Sequence, residues 1–216
     1  MARNGLNAMA GHGAAPSAEY LDGLALLLRD DTLDPAYKAL MLGLPSQSEL
    51  AASQAEQGQT PDPMAIWQAI EDMKTALAKT LEADLPGLYA ACATDVPYQP
   101  DAEQSGKRAL RGAVLALLTR LDGGAQATSQ FTQADNMTLQ LSALSCLLAN
   151  GSGEAELAAF ENQWRQDRLV MDKWFALQIV QSKPQDTVSI TKKLTEHQDF
   201  NWKNPNRFRS TIGALA

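Results

Sequence analysis

Histidine and cysteine are scarce in this chain of 216 residues, which contains only two of each. The histidines, His12 and His197, stand neither in a His-Glu-x-x-His pair nor beside cysteines at metal-ligand spacing. The sequence therefore lacks the ligand set of a self-contained zinc site. A glycine-rich phosphate loop, a Gly-x-Ser-x-Gly nucleophile turn and a Cys-x-x-Cys motif are also missing. We expect no catalytic residue and no metal ligand in this chain.

Long apolar runs and clusters of basic residues are missing as well. The apolar runs of the chain, such as 24–28 and 114–118, are far shorter than the roughly 20 residues that a membrane-spanning helix needs. A formal net charge of -7 without a run of Lys or Arg gives no field that attracts a phosphate backbone. The first residues contain no apolar stretch of signal-peptide length. These features predict a cytoplasmic protein that has neither membrane nor nucleic acid as a partner.

The two cysteines, Cys92 and Cys146, stand far apart in the sequence, and each has mostly apolar neighbours at helical spacing. This context favours buried free thiols in a reducing compartment over a disulfide between them. Carboxylates are plentiful, but pairs such as Glu154 and Glu156 stand in turns and first helical turns, where the helix dipole favours them. We interpret them as structural charges, so the chain alone does not look like an enzyme.

Apolar residues recur at three- and four-residue spacing along most of the chain, which is typical of amphipathic helices. One stripe runs from Leu110 to Leu121 and another from Met137 to Leu148. Start signals precede several helices: Asp34 before Pro35, a Ser46–Glu49 capping box, and a cap at Asn136. The pattern predicts about eleven helices. The helical segment 64–93 is expected to break near Pro86, and residues 53–63 and 94–105 are expected to form connections between helices.

Short connections between consecutive helices require neighbours to pack antiparallel. The sequence therefore predicts an all-α fold, an α-α superhelix of helical hairpins that forms one domain over residues 1–216. No strict repeat period is present, so the repeats would be degenerate and armadillo- or HEAT-like. The segment 167–181 is apolar on more than one face, which predicts a helix that is covered on several sides.

Several sequence blocks together resemble a known family. The blocks are Thr32–Ala36, Leu44–Glu49, Asn136–Thr138, Trp164, Leu169–Phe175, and Asn204–Ser210 followed by Ile212, Gly213 and Ala214. In this order and at these distances they resemble the C-terminal helical domain of bacterial aminopeptidase N, a zinc metallopeptidase of the gluzincin type. The resemblance covers nearly the whole chain.

The resemblance implies a noncatalytic fragment, truncated at both ends, of an enzyme that removes N-terminal residues from peptides. In that family an upstream catalytic domain carries the zinc-binding histidines and glutamate, the catalytic glutamate and a Gly-x-Met-Glu-Asn strand, none of which occurs here. Zinc is thus implied for the parent and no cofactor for this chain. The implied partners are the catalytic domain, over which the superhelix closes, and the peptides that enter the enclosed cavity. A stand-alone helical scaffold that binds another protein is the alternative.

The segment Asn204–Ser210 supplies the one candidate site residue. A helix that begins at Pro205 with Asn204 as cap would place three residues on its buried stripe: Phe208, Ile212 and Leu215. Arg207 and Arg209 would then lie about 200° apart. From the residues alone, both arginines are surface residues or members of salt bridges. The resemblance matches Arg209 to a family arginine that faces the peptide cavity and binds substrate, and it leaves Arg207 a packing role.

Overall fold

The structure, a computed structural model, describes residues 2–94 and 96–215, and all regular structure in them is helical. The thirteen helices of these residues are α1 (Ala2–His12), α2 (Ala18–Arg29), α3 (Pro35–Met41), α4 (Gln47–Glu56), α5 (Pro63–Thr80), α6 (Leu85–Ala91), α7 (Ala102–Asp122), α8 (Ala125–Gln133), α9 (Met137–Ala149), α10 (Glu154–Trp164), α11 (Arg168–Val180), α12 (Thr187–Thr195) and α13 (Pro205–Leu215). None of these helices is both long and apolar enough to cross a membrane. The all-α prediction is confirmed.

The chain divides into two compact units, one ending at Gly123 and the other beginning at Gly124. Both glycines have positive φ angles, of 67° and 98°, in the left-handed region that residues other than glycine rarely adopt. They end α7 and precede α8 without a longer connection. The prediction of one domain over 1–216 stays a prediction. The connection predicted at 94–105 lies within the first unit.

In the first unit, α5 is the central helix and contacts α1, α2, α4 and α7. Its apolar residues Ile66, Ile70, Met73 and Leu77 follow four-, three- and four-residue spacing, so they lie on one buried face. The helices α3 and α6 pack against α7. Cys92 is buried at the end of α6 as a free thiol, and burial raises the pKa of that thiol.

In the second unit each helix from α8 to α13 contacts the next one along the chain, and α11 also contacts α13. The helix α11 supplies much of the core through Met171, Trp174, Phe175 and Ile179. The predicted coverage of several α11 faces is only partly correct, because Leu169 and Val180 are exposed in this chain. Cys146 in α9 is buried, as predicted, and it forms no disulfide within the described part of the chain.

The helix-start signals are confirmed by hydrogen bonds. The Asp34 side chain accepts from the Ala36 N–H with Pro35 in the first turn, and Ser46 forms both bonds of the capping box with Glu49. Asn136 caps α9 by accepting from a backbone N–H, so this Asn-Met-Thr tripeptide acts as a helix start.

Several boundaries differ from the sequence prediction of about eleven helices. The helix α8 was not predicted, because its polar sequence offers few apolar residues to define a face. The break expected at Pro86 lies earlier, between α5 and α6, because proline is tolerated in the first turn, where its missing N–H has no partner to lose. The connection predicted at 53–63 begins only after α4 ends, and its first two residues, Ser53 and Gln54, are buried.

Candidate functional site

The helix α13, which carries the candidate substrate-binding residue, begins as predicted. The Asn204 carboxamide oxygen accepts from the backbone N–H groups of Asn206 and Arg207, at 3.0 and 3.3 Å. Pro205 occupies the first helical position, where its fixed φ suits the helix. The Asn-Pro-Asn sequence therefore fixes where α13 starts and which residue occupies each position around it.

Arg207 is buried, with 4% of its surface exposed. Its Nε donates to Asp172 Oδ1 of α11 at 2.6 Å, and its Nη1 donates to the Asp199 carbonyl oxygen at 2.6 Å. The guanidinium carbon lies 4.3 Å from the centre of the Phe175 ring, in cation–π geometry. Arg207 therefore joins α13 to α11 and to the loop that follows α12, which agrees with the packing role that was expected for it.

The buried face of α13 differs from the prediction. Phe208 and Leu215 were expected in the core, but they are 40% and 41% exposed, and Ile212 is only partly buried. The buried residues are Arg207 and Thr211, which are four positions apart and share one face. The prediction was wrong because it assigned the buried stripe to apolar side chains, whereas an arginine is buried here beside a carboxylate that neutralises it.

Arg209 lies two positions from Arg207, on the opposite side of α13, and its side chain is exposed. Among the described residues, the Arg209 guanidinium has no ion-pair or hydrogen-bond partner. A planar group with five N–H donors is thus presented to its surroundings. This arrangement suits the recognition of carboxylates or carbonyl oxygens, and the assignment of Arg209 to substrate binding stays a prediction.

A second polar cluster, which sequence reasoning missed, lies close to the Arg207 contacts. The His197 ring nitrogen Nε2 lies 3.1 Å from Glu161 Oε1, and its Nδ1 accepts from the Asp199 backbone N–H at 3.1 Å. Because Nδ1 accepts, the neutral ring carries its proton on Nε2 and donates it to Glu161. The ring also contacts Trp174 and Phe175, with centroids 5.2 and 5.3 Å apart. No local motif signals this cluster, since 36 residues separate Glu161 from His197.

Potential metal-ligand atoms of Glu161, His197 and Asp199 converge to within 4.8 Å of one another. Arg165, however, forms an ion pair with Glu161 Oε1, and its Nε lies 3.3 Å from Asp199 Oδ2, too poorly aligned for a hydrogen bond. A guanidinium therefore already supplies the positive charge between the carboxylates. Both histidine nitrogens are also engaged in hydrogen bonds, so neither offers zinc a free lone pair. The cluster does not fit a zinc site, and we interpret it as an ion-pair network.

Comparisons with known proteins match the whole chain. A family model described as a domain of unknown function with ARM repeats, DUF3458_C, matches residues 1–216. Aminopeptidase N of Caulobacter vibrioides is 35% identical over an alignment of 202 positions, which covers 91% of this chain and 23% of that protein. Aminopeptidase N of Escherichia coli is 36% identical over an alignment of 201 positions, which covers 90% of this chain and 22% of that protein.

Two further comparisons agree. Aminopeptidase N of Haemophilus influenzae is 34% identical over an alignment of 221 positions, which covers 99% of this chain and 24% of that protein. The crystal structure of Legionella pneumophila aminopeptidase A in complex with aspartic acid matches with a TM-score of 0.83 and 26% identity, over 99% of this chain and 27% of that chain. The chain thus spans about a quarter of the length of these proteins, and the resemblance to aminopeptidase N is confirmed. Because the family model matches from the first residue to the last, the chain belongs to the DUF3458_C family of ARM-repeat domains.

Proposed function

We propose that this chain is the noncatalytic C-terminal helical domain of a zinc-dependent aminopeptidase N, which removes N-terminal residues from peptides. The observation that carries the proposal is the match of 90 to 99% of this chain to aminopeptidases N from three organisms. Each match occupies only 22 to 24% of the relative's length. The remaining three quarters of such a protein have room for the zinc-binding histidines and the catalytic glutamate, which this sequence lacks.

The domain's role in the parent is to enclose the peptide cavity of the catalytic domain, which is its partner in the same polypeptide. The zinc of that domain would supply an activated water for hydrolysis of the peptide bond, and residues of this chain would limit access to the cavity and position the peptide. Buried cysteines outside any disulfide of the described residues and a negative net charge are compatible with a cytoplasmic parent.

Arg209 is the residue of this chain that we assign to substrate positioning. Two features support it over Arg207: its guanidinium is exposed and unpaired among the described residues, whereas Arg207 is buried and paired with Asp172. A guanidinium binds a peptide carboxylate or carbonyl oxygen through parallel hydrogen bonds. Such contacts bind the ground state and the transition state alike, so their loss raises KM more than it lowers kcat.

The test is Arg209→Ala in the full-length parent, with kcat and KM measured for peptides of several lengths. We expect kcat/KM to fall about tenfold, equivalent to about 1.4 kcal/mol, mainly through KM. Zinc content should not change. Arg168→Ala is the matched control, because Arg168 is also an exposed arginine of the second unit, at the start of α11. Wild-type kcat/KM for Arg209→Ala at every peptide length would require the assignment to be withdrawn.

A further inference from the structure

A cleft of about 310 Å³ opens in the first unit, beside α1 and the turn that follows α4. Its lining residues are Asn4, Asn7, Ala8 and His12 from α1, and Gln57 and Gln59 from the turn. The α1 residues are three, four and eight positions apart from Asn4, so they lie on one face of the helix. Four of the six side chains are carboxamides, and none carries a permanent charge. The cleft belongs to a different unit from Arg209.

The wall of the cleft contains a polar atom without a partner. Asn7 is only 8% exposed, and its Nδ2 donates to the Oγ of buried Ser53 at 3.0 Å. The Gln57 Nε2 lies 3.5 Å from the same hydroxyl oxygen. Among the described residues, no group donates to Asn7 Oδ1, which is buried. Because a buried carbonyl oxygen without a donor destabilises the fold, a ligand N–H that reaches Oδ1 would remove that destabilisation.

The chemistry of the cleft selects the class of ligand. Each carboxamide both donates and accepts, which matches the paired N–H and C=O groups of another amide. Apart from the His12 imidazole, the lining side chains are neither ionisable nor aromatic, so the cleft offers no carboxylate or ammonium to a charged group and no Phe, Tyr or Trp ring for stacking. We propose that this cleft binds an uncharged amide, either a peptide backbone segment or a small carboxamide, through Asn7 and the glutamines of its rim. Since Oδ1 is covered in the free chain, binding requires a neighbouring side chain to move.

The test is an NMR titration of the ¹⁵N-labelled chain with N-acetylglycinamide, followed through the side-chain NH₂ signals of the cleft. A ligand of this size supports only weak binding, so we expect saturation with a Kd on the order of millimolar. The signals of Asn7 and Gln57 should shift most. Glucose and zwitterionic glycine serve as ligands of the wrong class. Saturable binding of glucose at the same site, or no saturable shift with N-acetylglycinamide up to about 50 mM, would overturn the proposal.

Variants separate this site from nonspecific binding. Gln59→Ala changes an exposed rim residue, and should weaken binding several-fold without affecting the fold. Gln133→Ala is the matched control, because Gln133 is an exposed glutamine of α8 that lies outside the cleft, and its Kd should equal that of the wild type. Asn7→Leu should abolish the shift of the Gln57 signal. Equal binding by the wild type, Gln59→Ala and Asn7→Leu would refute the site.

A longer ligand distinguishes the two sources of the amide. Acetylated and amidated triglycine contains three consecutive residues and no charge. If it binds at least tenfold more tightly than N-acetylglycinamide, the cleft takes a peptide backbone segment. Equal affinities would identify a small carboxamide as the ligand, and both results support the amide class.

Discussion

Truncation of Arg207 to alanine removes three contacts that join α13 to the rest of the second unit. The variant loses the 2.6 Å ion pair with Asp172, the 2.6 Å hydrogen bond to the Asp199 carbonyl oxygen and the stacking on Phe175. It also leaves the Asp172 carboxylate, whose side chain is only 15% exposed, without its positive partner. Removal of one partner from a buried ion pair typically costs about 3–5 kcal/mol. Because Asp172 keeps some access to water, we expect the lower end, about 3 kcal/mol.

Urea unfolding of the 216-residue chain and of Arg207→Ala measures this loss directly, and a thermal scan should show a decrease in Tm of roughly 10 °C. Arg209→Ala is the control on the same helix, and its exposed side chain should change stability by less than about 0.5 kcal/mol. A double-mutant cycle with Asp172→Asn should give a coupling energy above about 1 kcal/mol. Equal, small effects of the two arginine variants would refute the role of Arg207 in holding α13.

Two further predictions concern the first unit. Burial raises the pKa of the Glu71 carboxyl, but hydrogen bonds and charges from Lys74 and Arg120 outweigh it and leave the pKa below its usual value. A carboxylate whose pKa is lowered in the folded state stabilises the fold at pH values above its unfolded pKa of about 4.3, and this stabilisation disappears as the pH falls through the folded pKa. The difference in unfolding free energy between wild type and Glu71→Gln should therefore shrink from pH 7 to pH 3. A difference that stays constant over this range would refute its origin in the ion pairs. A Cβ at Gly106 would lie 3.1 Å from a backbone nitrogen of α3, so Gly106→Leu should destabilise the fold by more than about 1 kcal/mol. The Cβ added by Gly23→Ala has nothing within 4 Å, so this variant should stabilise the fold by about 0.5–1 kcal/mol. Urea unfolding measures both changes, and a change of the opposite sign would contradict either prediction.

The features of the fold that depend on neighbouring residues in the sequence were predictable. Caps at Asp34, Ser46 and Asn136 form bonds within three residues, so the local sequence contains both partners. The helix α8 is polar and lacks the apolar stripe that predicts an amphipathic helix, so the sequence did not predict it. Its buried Gln130 donates to the Leu139 carbonyl oxygen and to Ser142, contacts that only the folded chain brings together.

The sequence correctly predicted the helix that carries the candidate site, but the prediction of its buried face was wrong. The sequence placed Arg207 and Arg209 on opposite sides of α13, and the structure confirms that one is buried and the other exposed. The buried stripe was wrong because the partner that permits an arginine in the core, Asp172, lies 35 positions earlier. The cluster of Glu161 and His197 was missed for the same reason. Long-range ion pairs leave no periodic signal in a single sequence.

We propose that the zinc chemistry belongs to the parent polypeptide and that this chain is its noncatalytic domain. The most direct measurement compares hydrolysis of an amino-acid p-nitroanilide by the full-length parent and by the isolated chain, before zinc removal, after it, and after zinc is restored. We expect the parent to lose activity when its zinc is removed and to regain activity when zinc is restored. The isolated chain should neither hydrolyse the substrate nor bind zinc stoichiometrically, since Arg165 already pairs with Glu161 and Asp199. Zinc-dependent hydrolysis by the isolated chain, or a parent whose activity does not depend on zinc, would contradict this proposal.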